Sequence, residues 1–471
     1  MNTFNHDSQY IQLLMFSSLK VKQAAFLLLY SKTVRVSTKT TLSLGIKDDM
    51  MEKYGEKLTN MCRGRERWME ITKEDKRSVI DHCYLTYFIS GMVILIFGVI
   101  LPNLIEERNL SFTAAGGLLS FLAIGNLCSS LAYPVFCGMM SQKTGVVVLA
   151  VPYPVCLFLF TMGLPVPVLY VMIFLIGITK GMITIINNHA IRQVTGSSNQ
   201  YLNLLHMWYA VGAFLSPFVT MLLMGAGMNW KTILRLLAVL TVLIVLSYAT
   251  MDYRKIEKEE KKEAGEEHSQ AAAPKEKFWF LKNTGFLLAV GALFFYMGLE
   301  NSVNGWFVTY LKSTGFMSTS LATVMVSVTW IMIMIGRIVI ASISKSVPPA
   351  KILAVISALQ FVSVLILVFA DHTTMAVAAL ILLGLGMAGA FPTTTAFTGD
   401  LMGNSPLGMS VFTGIGSLGG ILTPQVIGVL ADKLGFQAAI LFLVLDAFLL
   451  ALFGAGALRY ATNQKIQVER P

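Results

Sequence analysis

Apolar residues gather in twelve long stretches, beginning near Tyr84, Thr113, Val146, Val168, Leu205, Ile233, Thr284, Ser318, Ile352, Met375, Leu407 and Phe436. A helix needs about 20 such residues to cross a bilayer. The pattern predicts an all-α membrane protein with twelve spans and little room for a soluble domain. Polar residues break the pattern at two places. Residues 1–80 hold one apolar patch, Ala24 to Tyr30, too short to span and with no cleavage site after it, so this stretch is expected to be a poorly ordered cytoplasmic extension. Residues 253–282 are dense in both charge signs and read as a solvated cytoplasmic linker. The linker divides a six-helix bundle at 81–252 from a second at 283–460, and 461–471 form a tail.

The two halves repeat each other. A shift of 207 residues brings Gly91 onto Gly298, Gly98 onto Gly305, Gly177 onto Gly384, and "VGAFLSP" from Val211 onto "LGGILTP" from Leu418. A single ungapped offset across the first, fourth and fifth spans is the mark of a duplicated bundle, its halves related by pseudo-twofold symmetry about the membrane normal.

Composition agrees, with 55% hydrophobic and 13% charged residues among 471, against about 25% charged in soluble domains. The net charge of +10 is a topology signal and not a nucleic-acid footprint. Lys and Arg crowd the segment before Tyr84, the linker and the C-terminal tail, which predicts both termini in the cytoplasm of a cell-membrane protein. The five cysteines show no metal-type spacing and read as small apolar fillers. No nucleotide loop, zinc spacing or nucleophile elbow is present, so neither an enzyme, a metal nor a cofactor is expected.

Twelve spans, a duplicated six-helix unit and a charged central loop resemble the major facilitator superfamily. "GMMSQKTG" keeps Gly138 and Gly145 of that family's loop pattern, with Gln142 and Lys143 where Asp and Arg are usual. "GRIVIASISK" keeps the Gly336–Arg337 pair in the second half, and these residues are expected at gating loops. "FYMGLENSVNGWFVTYL" is similar to the seventh span of the fucose:proton symporters and their sugar-carrier relatives, and "GITKGMITIINNHAIRQVTG" to their fourth. The resemblance implies the two-bundle fold, alternating access, and sugar and proton as cargo. It also puts the twelfth span outside the central cavity, which implies a structural or peripheral role for Asp446.

Away from the termini and linker, only Glu300 and Asp446 among seven acids fall within spans. An acid at a helix centre in a bilayer costs about 2.5 to 3.5 kcal/mol on insertion scales, so it faces a cavity or a partner. Glu300 shares a helical face with Asn304, with Asn301 at its edge. The repeat pairs Glu300 with Val93, so the scaffold itself needs no acid there. Lys180, Thr184, Asn187 and Asn188 fall on one face of the fourth span roughly 100° wide. Trp208, Tyr209, Trp306, Thr413 and Ser417 add aromatic faces and hydroxyls suited to a sugar ring.

These residues are expected to line a cavity for a small polar solute, with Glu300 as proton carrier and Lys180 as its counter-ion. The transporter is expected to act as a monomer in the lipid bilayer. The alternatives are an exporter of amphipathic compounds and a solute sensor that does not transport.

Overall fold

The computed structural model describes residues 73–139, 142–195, 199–251, 278–402 and 405–469. Among the described residues, twelve helices are long and apolar enough to cross a membrane. The first six are α1 (Lys76–Arg108), α2 (Phe112–Ser130), α3 (Lys143–Phe160), α4 (Val166–Thr195), α5 (Gln200–Gly225) and α6 (Trp230–Thr250). The second six are α7 (Thr284–Ser313), α8 (Thr319–Ile343), α9 (Pro349–Val368), α10 (Thr373–Gly399), α11 (Leu407–Leu434) and α12 (Phe436–Gln464).

Side-chain caps start several of them. Asn229 accepts from the Thr232 amide, Asn283 from those of Gly285 and Phe286, Ser318 from that of Leu321 and Ser405 from that of Gly408. Such caps satisfy amides that a helix leaves unpaired at its first turn. α10 turns at Gly389, whose φ of +74° suits a residue without a Cβ.

Each half has its own buried core. One is built from residues of α1 to α6, with Tyr153 and Tyr248 fully enclosed. The other is built mainly from α7 to α12 around Phe286, Trp306, Phe307 and Phe412. The 207-residue repeat reappears in the packing. A Cβ on Gly177 would lie 2.2 Å from the Leu122 carbonyl oxygen, and one on Gly384 would lie 2.6 Å from that of Thr329, the equivalent atom of the second half. Both pairs of helices therefore touch through backbone, where only glycine fits.

The halves meet along α2 with α11, α5 with α8, and α1 with α7. At the end where α1 stops, the seam is tight. The Asp432 carboxylate of α11 accepts from the Phe112 and Thr113 amides at 2.8 and 2.7 Å, capping the N-terminus of α2. Lys312 reaches Glu106 at 3.2 Å, and Phe112, Trp306 and Phe436 pack as mutually tilted rings into an aromatic plug. Ser120 donates to the Ile421 carbonyl and Ser327 to that of Phe214 nearer mid-membrane.

Three expected boundaries move. The helix of α1 begins at Lys73, inside the stretch expected as an extension to residue 80. The last helix runs to Glu469 through most of the expected tail. Trp279–Lys282, expected in the linker, form a 3-10 turn with Phe280 buried. Polar residues continue a helix into water as readily as apolar ones do in lipid, so an apolar run marks the span and not the helix end. Residues 1–72 and 253–277, where the extension and linker are expected, lie outside the described residues.

Candidate functional site

Helical periodicity in α7 places Tyr296, Glu300 and Asn304 at steps of four on one face. Glu300 is half-buried. Its carboxyl has the Tyr296 hydroxyl as a side-chain partner, shared with the Met387 carbonyl 3.4 Å away. Two cations act on it electrostatically, Lys180 from α4 in the first half and Arg337 from α8 in the second. One turn further along α7, the Asn304 Oδ1 accepts from the Trp330 indole at 3.2 Å.

Aromatic rings continue the site across the seam. Trp330 lies 6.3 Å from Tyr209 of α5, Tyr209 lies 5.0 Å from Tyr87 of α1, and Tyr87 lies 5.5 Å from His206. Thr184 and Asn188 of α4 are side-chain partners of the Tyr87 hydroxyl. Arg337 acts electrostatically on His206 as well, although His206 is exposed. His206 of α5 and Arg337 of α8 therefore border a cleft between the halves, on the side away from the Asp432 cap.

The structure therefore brings together Glu300, Lys180, Thr184, Asn188, Asn304 and Tyr209. Asn301 is at the rim, its amide bonded back to Met297 and packed against Gly420 of α11. Thr413 and Ser417 are half-buried, and each hydroxyl bonds its own helix four residues back.

Four expectations are corrected. Asn187 is fully buried, donates to Thr86 and the Cys83 carbonyl, and accepts from Tyr248 at 2.9 Å. It ties α4 to α1 and α6 and does not face the cleft. Trp306 is also fully buried, its indole donating to the Pro424 carbonyl at 3.0 Å within the aromatic plug. Trp208 is exposed and packs on Tyr84 and Phe88, one helical step around from Tyr209. Gly336 and Arg337 are not loop residues: both lie inside α8, with Gly336 against Ala388 and Leu385 of α10 and Arg337 in the field of Glu300. The helix continues past the Gly–Arg pair because "IVIASI" remains apolar.

At the other expected loop, Gly138 is helical, Lys143 is exposed and Gly145 is buried. Tyr87, His206, Tyr296 and Trp330 also belong to the site. The signal for two of them, His206 and Tyr296, was helical spacing from Tyr209 and Glu300. Asp446 is buried behind α7, where its Oδ1 accepts from Thr423 at 3.2 Å beside Gly298. Thus a carboxyl, two cations, amides and aromatic faces come together at the seam between the halves.

Residues 83–424 match the sequence profile of the Major Facilitator Superfamily. The "Protein TsgA homolog" of Erwinia tasmaniensis is 23% identical over 387 residues, covering 79% of this chain and 92% of that relative. Among solved structures, the nucleoside transporter NupG superposes with a TM-score of 0.62 at 16% identity, over 81% of this chain and 98% of that one. A bacterial homologue of the human lysosomal transporter Spinster, inward-facing and unoccupied, gives a TM-score of 0.62 at 13% identity, over 83% and 98%.

Proposed function

The chain belongs to the Major Facilitator Superfamily and is a multi-pass membrane transporter of small molecules; on that premise we propose that it carries a small, hydroxylated, sugar-like solute by alternating access, coupled to protons through Glu300. The observation that supports the coupling is a carboxyl of the cleft, Glu300, held among Tyr296, Lys180 and Arg337 where the repeat has only Val93. A carboxylate out of water is disfavoured relative to its neutral form, and two nearby cations oppose that preference. Displacing the cations or flooding the cleft changes the balance, so proton loading follows conformation. The Lys and Arg bias puts both termini in the cytoplasm. On that topology the Asp432 end is external, and the structure is inward-facing.

Asn188, Asn304 and the rings of Tyr209 and Trp330 are the groups that would receive hydroxyls and a C–H face. A nucleoside contains a sugar ring, so uridine joins monosaccharides in the solute panel. The test is uptake into proteoliposomes with an imposed pH gradient, inside alkaline, comparing wild type with Glu300→Gln for each solute that the wild type concentrates. Glu300→Gln is expected to keep solute exchange and to lose accumulation. Accumulation at the wild-type level by Glu300→Gln would remove Glu300 from the coupling. An amphipathic-drug exporter predicts instead that alanine at Asn188 and Asn304 leaves transport unchanged.

A further inference from the structure

We propose that the solute carries a negative charge: it is an organic monoanion whose carboxylate group is received between Lys180 of α4 and Arg337 of α8. This deepens the transport reading above and rests on it. Neither Lys180 nor Arg337 makes an ion pair within 4.0 Å or a side-chain hydrogen bond among the described residues. Both are half-buried at membrane depth, on helices from opposite halves. Cations in such places line pathways or await counter-charges.

The cleft does not supply enough of them. The groups in the field of Arg337 are Tyr87 of α1, His206 and Tyr209 of α5, and Tyr296 and Glu300 of α7. Among the described residues, Lys180 has Glu300 alone. The other acids in spans whose side chains are described are elsewhere. Glu106, Glu107 and Asp432 belong to the closed end, Asp446 is buried behind α7, and Asp81 pairs with Arg77 at the start of α1. Among the described residues, two positive charges therefore face one carboxylate.

A guanidinium donates two parallel hydrogen bonds to a carboxylate, and an ammonium adds a point charge. The Asn304 Nδ2, whose own Oδ1 is held by Trp330, makes no hydrogen bond among the described residues and can meet a hydroxyl of the same solute.

The charge count also fixes how anion and proton interact. With Glu300 ionised and no solute bound, the site has one excess positive charge. Protonating Glu300 frees both cations, and a bound monoanion restores the same single excess charge. The two states that must reorient then carry equal charge, so one anion moves with one proton and no net charge crosses. Each ligand strengthens the other's binding by the same factor, as linkage requires.

The experiment is thermal stabilisation of the purified full chain by D-gluconate, D-glucuronate and L-lactate, each beside a neutral counterpart: glucose, methyl glucoside or lactamide. At least one carboxylate is expected to stabilise the protein while its counterpart does not, with half-saturation about tenfold lower near pH 6 than near pH 8. Arg337→Gln should raise that concentration about tenfold or more, Arg337→Lys should recover part of the loss, and Glu300→Gln should abolish the pH dependence. Equal stabilisation by the neutral counterpart, no stabilisation by any carboxylate, or an unchanged response in Arg337→Gln would overturn the assignment. In proteoliposomes, a pH gradient should drive accumulation of the stabilising carboxylate, and a potassium diffusion potential alone should not. If the carboxylate binds through Arg337 but no pH gradient concentrates it, the proton reading fails and the anion site stands. If a pH gradient concentrates only neutral solutes, the anion site fails and Glu300 coupling stands.

Discussion

Asn187 holds α4 to α1 and α6 through Thr86, the Cys83 carbonyl and Tyr248, whereas Asn188, the next residue, reaches Tyr87 at the edge of the cleft. A helical wheel puts Lys180, Thr184, Asn187 and Asn188 on one polar face, and that much was legible in the sequence. Which edge of the face meets another helix was not, because the answer depends on where α1 and α6 pack. Glu300 was legible for a different reason: its twin position, Val93, is apolar, so packing of the scaffold gives no account of it. Arg337 was misplaced because a Gly–Arg pair in a family loop pattern carries no information on where the helix ends. Asn187→Ala leaves the buried Thr86 and Tyr248 hydroxyls short of a partner, at a cost of about 1–3 kcal/mol, or about 0.6 if the membrane average applies. It is expected to lower the thermal midpoint in detergent while changing solute half-saturation by less than about twofold. Asn304→Ala should do the reverse, weakening solute binding by about tenfold with a smaller effect on the midpoint. Equal effects of both variants on binding would return Asn187 to the cleft.

The helices pack through glycines that the sequence repeat had already paired, and their neighbours decide what each one tolerates. On α11, a Cβ at Gly419 would lie 1.8 Å from the Phe294 carbonyl oxygen of α7, while one at Gly414 would meet nothing within 4 Å. The counterpart of Gly419 in the first half, Gly212, stands 2.0 Å by the same measure from the Phe88 carbonyl of α1. The α1–α5 and α7–α11 pairs are therefore the same close joint made twice. Sequence alone paired the glycines but could not rank them, since rank depends on which carbonyl a helix presents across the joint. Gly419→Ala forces α7 and α11 apart and is expected to cost about 1–3 kcal/mol, as overpacked cores do. Gly414→Ala fills open space and exchanges a flexible residue for a better helix former. Thermal unfolding of the two variants in the same detergent should show a clear drop for Gly419→Ala and none for Gly414→Ala. Equal midpoints would mean that the α7–α11 joint is looser than the backbone contact implies.

At the scale of the whole molecule, the two-bundle architecture followed from the twelve apolar runs and the repeat, but the state of the cleft did not. Phe112 and Asp432 are 320 residues apart, and no periodicity relates them. The contact arises only once the bundles close at one end, with a carboxylate placed at the N-terminus of α2, where the helix dipole and two free amides favour negative charge. Lys312 with Glu106 and the Phe112, Trp306, Phe436 plug close the same end. A rocking transporter must break these contacts together to open there, so their strength sets the balance between its two faces. Removing both acceptors with Asp432→Ala should cost the closed state about 1–3 kcal/mol, a shift in the ratio of states of roughly 5- to 150-fold. A cysteine at Ser120, placed beneath the cap in a chain whose five native cysteines are replaced, reports the change. In the Asp432→Ala background its labelling by a membrane-impermeant maleimide added at the capped end should accelerate at least fivefold, and a thiol reagent confined to the opposite side should lose access to His206→Cys in parallel. Faster labelling at Ser120 with no loss at His206 would indicate local fraying of the cap. Reciprocal changes at the two positions are what coupling of both ends through one rigid-body motion requires.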